Sequence, residues 1–184
     1  MRARLPAERR IERAGIGLVL LVTVIFPLVF GGDDYLMSEA ELVLIYGLAA
    51  VTLNLLVGYG GQISLGHAGM LAVGAYTLSI LANHLSLPLP VLILAAAVGT
   101  AIAGLILGLP TGRLRGHYLA IATLGFGLAM PQLALNMSGL TNGTEGLIVP
   151  PATLGDWTFD ASHTINLYYL ILVVVGLSLA AILS

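Results

Sequence analysis

The feature that most constrains this chain is a run of 71 residues, Leu42 to Gly112, that contains no Asp, Glu, Lys or Arg. A soluble domain carries roughly 25% charged residues, whereas this sequence has 9% charged and 58% hydrophobic residues. So little charge cannot cover a surface that faces water. The composition therefore predicts an all-α polytopic membrane protein surrounded by a lipid bilayer.

Six segments are apolar enough to cross about 30 Å of hydrocarbon, which takes about 20 helical residues. They are predicted at Ala14–Gly32, Leu42–Val57, about Ile63–Leu81, Pro90–Leu109, Tyr118–Met137 and Ile165–Ser184. Ser38 and Glu41 have the spacing of a capping box, which predicts that the second helix begins just after Ser38. Near the last span, Trp157 and either Tyr168 or Tyr169 suit an interfacial aromatic belt.

The positive charges are confined to two places. Five arginines lie within residues 1–13, and Arg113 and Arg115 follow the fourth predicted span. Lys and Arg concentrate in cytoplasmic loops, and an even number of spans separates the two groups, so both are predicted inside. The loops predicted outside contain no Arg and hold seven of the nine acidic residues; these loops are 31–41, 82–89 and 138–164. The pattern predicts a cytoplasmic N-terminal tail, 1–13, and a transmembrane domain, 14–184.

The fourth span carries small residues at every fourth position. Because lipid offers no hydrophobic drive between helices, close contact through small side chains is a main source of helix association. We predict a packing face formed by Ala96, Thr100, Gly104, Gly108 and Gly112. Its partner is either another helix of this chain or a second subunit.

A glycine-rich stretch, GYGGQISLGHAGM, interrupts the charge-free region at Gly58–Met70. Non-helical backbone at membrane depth is tolerated only where protein buries it or where it lines a wet cavity. We predict a break near residues 58–62 and a new helix from Ile63, on which Ser64 and His67 share a face. Such interruptions often mark substrate sites in transporters, so the candidate path residues are Asn54, Gly60, Gly61, Gln62, Ser64 and His67. Taken singly, Asn54 and His67 are better explained by bonding to a neighbouring helix.

Several classes of site are not indicated by this sequence. It contains no Cys, which excludes disulfides and thiolate metal sites, and no Lys, which excludes a P-loop. No metal-binding or catalytic spacing connects its four histidines, His67, His84, His117 and His163. The seven arginines, five of them in the tail, give no nucleic-acid footprint. We therefore expect no catalytic residue, no metal and no resident cofactor.

Three ordered blocks resemble the permeases of branched-chain amino acid ABC transporters, of the LivM/LivH type. The blocks are NLLVGYGGQISLGHAGMLAVGAY at Asn54–Tyr76, LRGHYLAIATLGFG at Leu114–Gly127 and GLTNGTEGL at Gly139–Leu147. The second block is more similar to LivM than to LivH. Together the resemblance covers roughly residues 40–150.

The resemblance implies a permease subunit of an importer, in a bacterial or archaeal cytoplasmic membrane. Such permeases pair with a second permease subunit, receive solute from a periplasmic binding protein and are driven by cytoplasmic ATPase subunits that use the ATP. Family members are longer, so we expect this chain to be truncated at its C-terminus, with the main ATPase-docking residues beyond Ser184.

The resemblance also gives a role to the third block, which is otherwise a polar connector. We expect an outer gate or binding-protein contact at Thr141, Asn142, Gly143, Thr144, Glu145 and Gly146. Two alternatives stay open for the solute and the mechanism. One is a permease of the same family for urea or short amides; the other is an ion-coupled secondary transporter or a channel.

Overall fold

The computed structural model describes residues 19–61, 64–85, 87–112, 114, 117–154, 157–159 and 164–183. In this part of the chain the helices are α1 (Val19–Phe30), α2 (Asp34–Gly60), α3 (His67–His84), α4 (Leu89–Thr111), α5 (His117–Asn136), α6 (Ser138–Thr141) and α7 (Thr164–Leu183). Two strands, β1 (Ala152–Leu154) and β2 (Trp157–Phe159), form an antiparallel hairpin that pairs Thr153 with Thr158. The architecture is all-α apart from this hairpin. Both arginine groups lie outside the described residues.

Four of these helices, α2, α4, α5 and α7, are long and apolar enough to cross a membrane. The described part of α1 is a shorter apolar helix, and α3 is not among the four, so the count of six spans stays a prediction. Large apolar side chains cover the outside of the helices: Leu28, Leu105 and Leu177 are 76%, 66% and 67% exposed. Exposed apolar surface on this scale requires lipid rather than water around it, as expected for a polytopic membrane protein.

The described residues fall into two compact units. The first contains α1, the beginning of α2 up to Ile45, and α7. Its interior holds Met37 and Tyr168, which are 0% and 2% exposed, and Phe26 stacks on Tyr168 with ring centroids 6.3 Å apart. The second unit runs from Tyr46 to Asp160 and contains the remainder of α2, α3 to α6 and the hairpin.

The second helix begins earlier than the sequence predicted. Asp33, rather than Ser38, is its N-cap: the Asp33 carboxylate accepts hydrogen bonds from the backbone amides of Tyr35 and Leu36 at 3.1 and 3.2 Å. Ser38 lies inside the helix, where its hydroxyl donates to the carbonyl of Asp34. The prediction was wrong because both Asp and Ser are good N-caps, so the sequence does not decide between them. The Asp33 carboxylate bonds to two free amides, and the helix therefore begins a further turn earlier.

Replacing Asp33 with alanine should destabilise the protein by about 1 kcal/mol, the usual cost of losing an N-cap side chain. Thermal unfolding of the purified protein in detergent would measure the change. Ser38→Ala is the matched control and should be close to neutral, since Ser38 caps nothing and alanine is the better helix former. An equal loss in both variants would restore Ser38 as the cap.

Helices α3 and α4 are joined by reciprocal contacts between glycine and threonine. A Cβ built on Gly74 would lie 3.0 Å from Oγ1 of Thr100, and one built on Gly99 would lie 2.9 Å from Cγ2 of Thr77. From the first contact to the second, the residue number increases in α3 and decreases in α4, so the two helices are antiparallel. Each threonine therefore fills the space that a missing side chain leaves on its neighbour.

The predicted small-residue face is used in part by this contact. Thr100 packs against α3, but Gly99, which the every-fourth-residue pattern omits, supplies the close approach. A Cβ on Gly104 or on Gly108 would meet no described atom within 4 Å. Whether the remainder of the face packs against another subunit stays a prediction.

Candidate functional site

The break between α2 and α3 lies later than its predicted position of 58–62. Gly58 lies within α2 and Gly60 is its last residue. Gly61 has a φ of +59° and its amide bonds to the carbonyl of Val57 at 3.0 Å, which is how a glycine in the left-handed region ends a helix. The next helix begins at His67 rather than near Ile63. The break therefore comprises residues 61–66, of which Gln62 and Ile63 lie outside the described residues.

The backbone of the break is bound by the side of α5. The amide of Leu65 donates a hydrogen bond to Oγ1 of Thr123 at 3.0 Å, and the Thr123 hydroxyl lies 3.0 Å from the carbonyl oxygens of Leu119 and Ala120 within its own helix. Thr123 is 5% exposed. This bond gives an otherwise free peptide group a protein partner, which a membrane protein requires where water is absent.

Glycines allow the break and α5 to approach at backbone distance. A Cβ on Gly66 would lie 2.5 Å from the backbone oxygen of Thr123. A Cβ on Gly69 would lie 2.8 Å from the Phe126 ring, and Gly127 faces the carbonyl oxygen of Leu65. The first two sequence blocks are therefore in direct contact, and glycines on both sides make this contact possible.

His67, the first residue of α3, is held against α2. Its Nε2 lies 3.0 Å from Oγ1 of Thr52, whose hydroxyl also lies 2.9 Å from the carbonyl oxygen of Ala49. A hydroxyl has one proton; when that proton goes to Ala49, Nε2 of His67 is the donor. The imidazole is half-buried, so part of it remains accessible beside the break.

The start of α3 is set back from the ends of its neighbours. His67 lies beside Thr52 of α2, which is eight residues before Gly60, the last residue of that helix. At 1.5 Å per residue, His67 is therefore about 12 Å from the end of α2. Measured along α5, Thr123 is six residues after His117, about 9 Å. The N-cap Gly66 has no side chain with which to cap the first turn. The positive end of a helix dipole thus lies among other helices.

Other predicted path residues do not join this cluster. Asn54 is exposed and, among the described residues, its side chain has no hydrogen-bond partner. Two positions along a helix differ by about 200°, so Asn54 faces away from Thr52. Ser64 precedes α3, so the prediction that it shares a helical face with His67 was wrong. The sequence reasoning missed Thr52 and Thr123, both of which lie within apolar spans, and Thr123 also lies inside the second block.

The third block folds into a tight turn. Thr141 is 5% exposed, and its hydroxyl bonds to the carbonyls of Ala134 and Met137. Asn142 and Gly143 both have left-handed φ values, 61° and 59°. Asn is the side chain that best tolerates that region after glycine, which explains the Asn-Gly pair.

The polar side chains of this turn divide into two groups. The Asn142 amide is used internally, since it donates to the carbonyl of Gly146 at 3.1 Å and to the carboxylate of Glu145 at 3.4 Å. Thr144 and Glu145 are exposed. The segment after the turn reaches α3, where the Asn83 amide donates to the carbonyl of Ile148 at 3.1 Å. This contact agrees with the prediction that loops 82–89 and 138–164 lie on one side of the membrane.

The described residues contain no group of three side chains that could hold a metal ion. What they provide is a half-buried imidazole and two threonine hydroxyls beside the N-terminus of α3. Such groups can form hydrogen bonds with a polar molecule.

Comparison with known proteins gives one consistent result. A family model described as "Branched-chain amino acid transport system / permease component" matches residues 35–184. The high-affinity branched-chain amino acid transport system permease protein LivM of Salmonella typhimurium is 36% identical over 145 residues, which are 78% of this chain and 34% of that protein. The LivM protein of Escherichia coli K12 is 41% identical over 116 residues, 62% of this chain and 27% of that protein. The chain thus spans about a third or less of the length of these curated relatives. No solved structure matches it.

Proposed function

Because the chain belongs to the branched-chain amino acid transport permease family, we propose that it forms the membrane path of an ABC importer for branched-chain or related amino acids. The observation that carries this proposal is the family match over residues 35–184, which contains all three blocks and the broken helix pair. The chain is a membrane transport component, and its place is a bacterial or archaeal cytoplasmic membrane that it crosses several times.

The energy for import comes from separate ATPase subunits that bind and hydrolyse ATP. The 184 residues contain no Lys, and without it a P-loop cannot contact the β- and γ-phosphates. The other partners are a second permease subunit and a periplasmic solute-binding protein. No cofactor is needed in the chain itself.

The path passes the break at residues 61–66. His67 and Thr52 present polar groups at the start of α3, and the adjacent helix end carries partial positive charge. An amino acid offers a carboxylate and an ammonium group, both of which form hydrogen bonds with such groups. The glycine contacts hold the end of the break against α5, while the imidazole of His67 stays partly accessible.

The turn at residues 141–146 is the outer gate or the surface that receives the binding protein. Its backbone is fixed by Thr141 and Asn142, and its exposed side chains are Asn142, Thr144 and Glu145. A fixed turn with exposed polar groups is suited to contact a protein that docks from outside.

Reconstitution tests the proposed function. The complete permease that contains this chain would be placed in proteoliposomes with its ATPases and binding protein, and uptake of radiolabelled leucine and of urea would be measured. We expect leucine uptake that requires ATP. Urea uptake in place of leucine would assign the solute to the related class, and uptake that follows an ion gradient without ATP would contradict the importer.

Replacing His67 with alanine in that system should raise the KM for leucine about tenfold, a factor that corresponds to roughly 1.4 kcal/mol. His84, exposed at the opposite end of the same helix, supplies the matched control: His84→Ala should leave uptake unchanged. Thr52→Val should reproduce part of the His67 effect, because it removes the bond that orients the imidazole. A loss of protein abundance with unchanged KM would reduce His67 to a packing role.

A further inference from the structure

Helix α1 contains a proline that leaves one of its carbonyl groups without a helical partner. In a regular α-helix the amide at position 27 would donate to the carbonyl at position 23. Pro27 has no N–H, so the carbonyl of Thr23 cannot be satisfied within α1. Pro27 is buried, and the surrounding helix face is apolar, so water is not a ready substitute.

A tyrosine from the last helix supplies the missing donor. The hydroxyl of Tyr168 in α7 donates to the carbonyl oxygen of Thr23 at 2.9 Å, and Tyr168 is 2% exposed. The next carbonyl of the same turn, that of Val24, accepts from the Tyr169 hydroxyl at 3.3 Å. Tyr168 also stacks on Phe26, one residue before the proline. The bonded carbonyl is thus the one that the proline frees.

We infer that Tyr168 is a strap: it closes the hydrogen-bond gap that Pro27 opens in α1 and thereby fixes the first helix to α7 at one register. A buried tyrosine retains its hydroxyl only where that hydroxyl has a partner, and a proline inside an apolar helix is tolerated where neighbouring groups satisfy the freed backbone. The carbonyl that Pro27 frees therefore explains the buried hydroxyl of Tyr168, and that hydroxyl explains why Pro27 is tolerated, although 141 positions separate the two residues in the sequence. This role is independent of the solute and of the transport mechanism.

Helix α7 makes a second polar contact close to Tyr168. The hydroxyl of Thr164, at the start of α7, donates to the carboxylate of Asp34, at the start of α2, at 3.3 Å. Helix α7 is therefore bound at two points one turn apart, to α1 by Tyr168 and to the beginning of α2 by Thr164. These bonds set the axial position of α7 in a region where apolar contacts alone would allow sliding.

A double-mutant cycle in the full-length protein tests the strap. In detergent, Tyr168→Phe should lower the Tm by about 3 °C, whereas the matched change Tyr169→Phe, which removes a longer and more exposed bond, should lower it by less. Pro27→Ala restores an amide that can donate to the Thr23 carbonyl. In that background, Tyr168→Phe should have little effect on the Tm.

The decisive comparison is between the two backgrounds. A loss of Tm on Tyr168→Phe that is the same with and without Pro27→Ala would overturn the inference, because the hydroxyl would then not be compensating for the proline. The inference would also be overturned if Tyr168→Phe did not lower the Tm of the protein that retains Pro27. Pro27→Gly also restores the amide and adapts to a bent helix, so it serves as the second background if Pro27→Ala does not fold.

Discussion

Replacing Gly66 with alanine is expected to destabilise the protein by about 3 kcal/mol, at the upper end of the cost of overpacking, and to reduce leucine uptake by the complete transporter. The added Cβ would lie 2.5 Å from the backbone oxygen of Thr123. That oxygen belongs to a helix and cannot rotate away as a side chain can. The break must therefore move off α5, which also stretches the bond between Leu65 and Thr123.

Gly58→Ala is the matched control for this experiment. Gly58 lies inside α2, and a Cβ there would meet no described atom within 4 Å. Alanine in a helix interior is favoured over glycine by roughly 0.5–1 kcal/mol, so this variant should be neutral or more stable. Thermal unfolding in detergent and uptake at equal membrane abundance would measure both variants. Wild-type stability and uptake in Gly66→Ala would show that the break does not depend on its contact with α5.

The second large effect is expected from Thr123→Val, which keeps the shape of the side chain and removes its hydroxyl. The amide of Leu65 would then lose its acceptor at a part-buried position, at a cost of about 1 kcal/mol or more. Hydrogen exchange gives a local readout, because protection of the Leu65 amide should fall about tenfold or more for a loss above 1.4 kcal/mol. The uptake rate should fall with it.

Two other substitutions separate this role from general packing. Thr123→Ser retains the hydroxyl and should preserve protection at Leu65. Thr77→Val makes the same chemical change at a threonine whose hydroxyl, in the described part of the chain, bonds only to its own helix, at Val73, and should leave protection of the Leu65 amide unchanged. If Thr77→Val and Thr123→Val have equal effects on Leu65, the specific bond is not what holds the break.

The sequence predicted the positions of the apolar helices well because lipid imposes a simple requirement of length and hydropathy. It predicted the helix ends less well. Asp33 and Ser38 are both suitable caps, and only the bonds of the Asp33 carboxylate decide between them. Likewise, glycine content located the break, but Gly58 and Gly60 are compatible with a helix, and the φ of Gly61 alone places its end.

The partners of the break could not be predicted because threonines in apolar helices look alike in sequence. Thr77, Thr100 and Thr123 all bond to carbonyls of their own helices, and only Thr123 also accepts from a distant amide. Tyr168 gives a similar lesson. Its position suggested an interfacial belt, but the side chain is buried against α1, where its hydroxyl donates to the Thr23 carbonyl that Pro27 leaves free.

The interlocked threonines and glycines of α3 and α4 restrict how the protein can move. Sliding α3 by one residue along its partner would shift it by about 1.5 Å and would bring Thr77 and Thr100 against positions that carry side chains. The two helices are therefore expected to move as one rigid pair. Any rearrangement that keeps these contacts therefore leaves the α3–α4 interface closed and takes place at other surfaces of the pair.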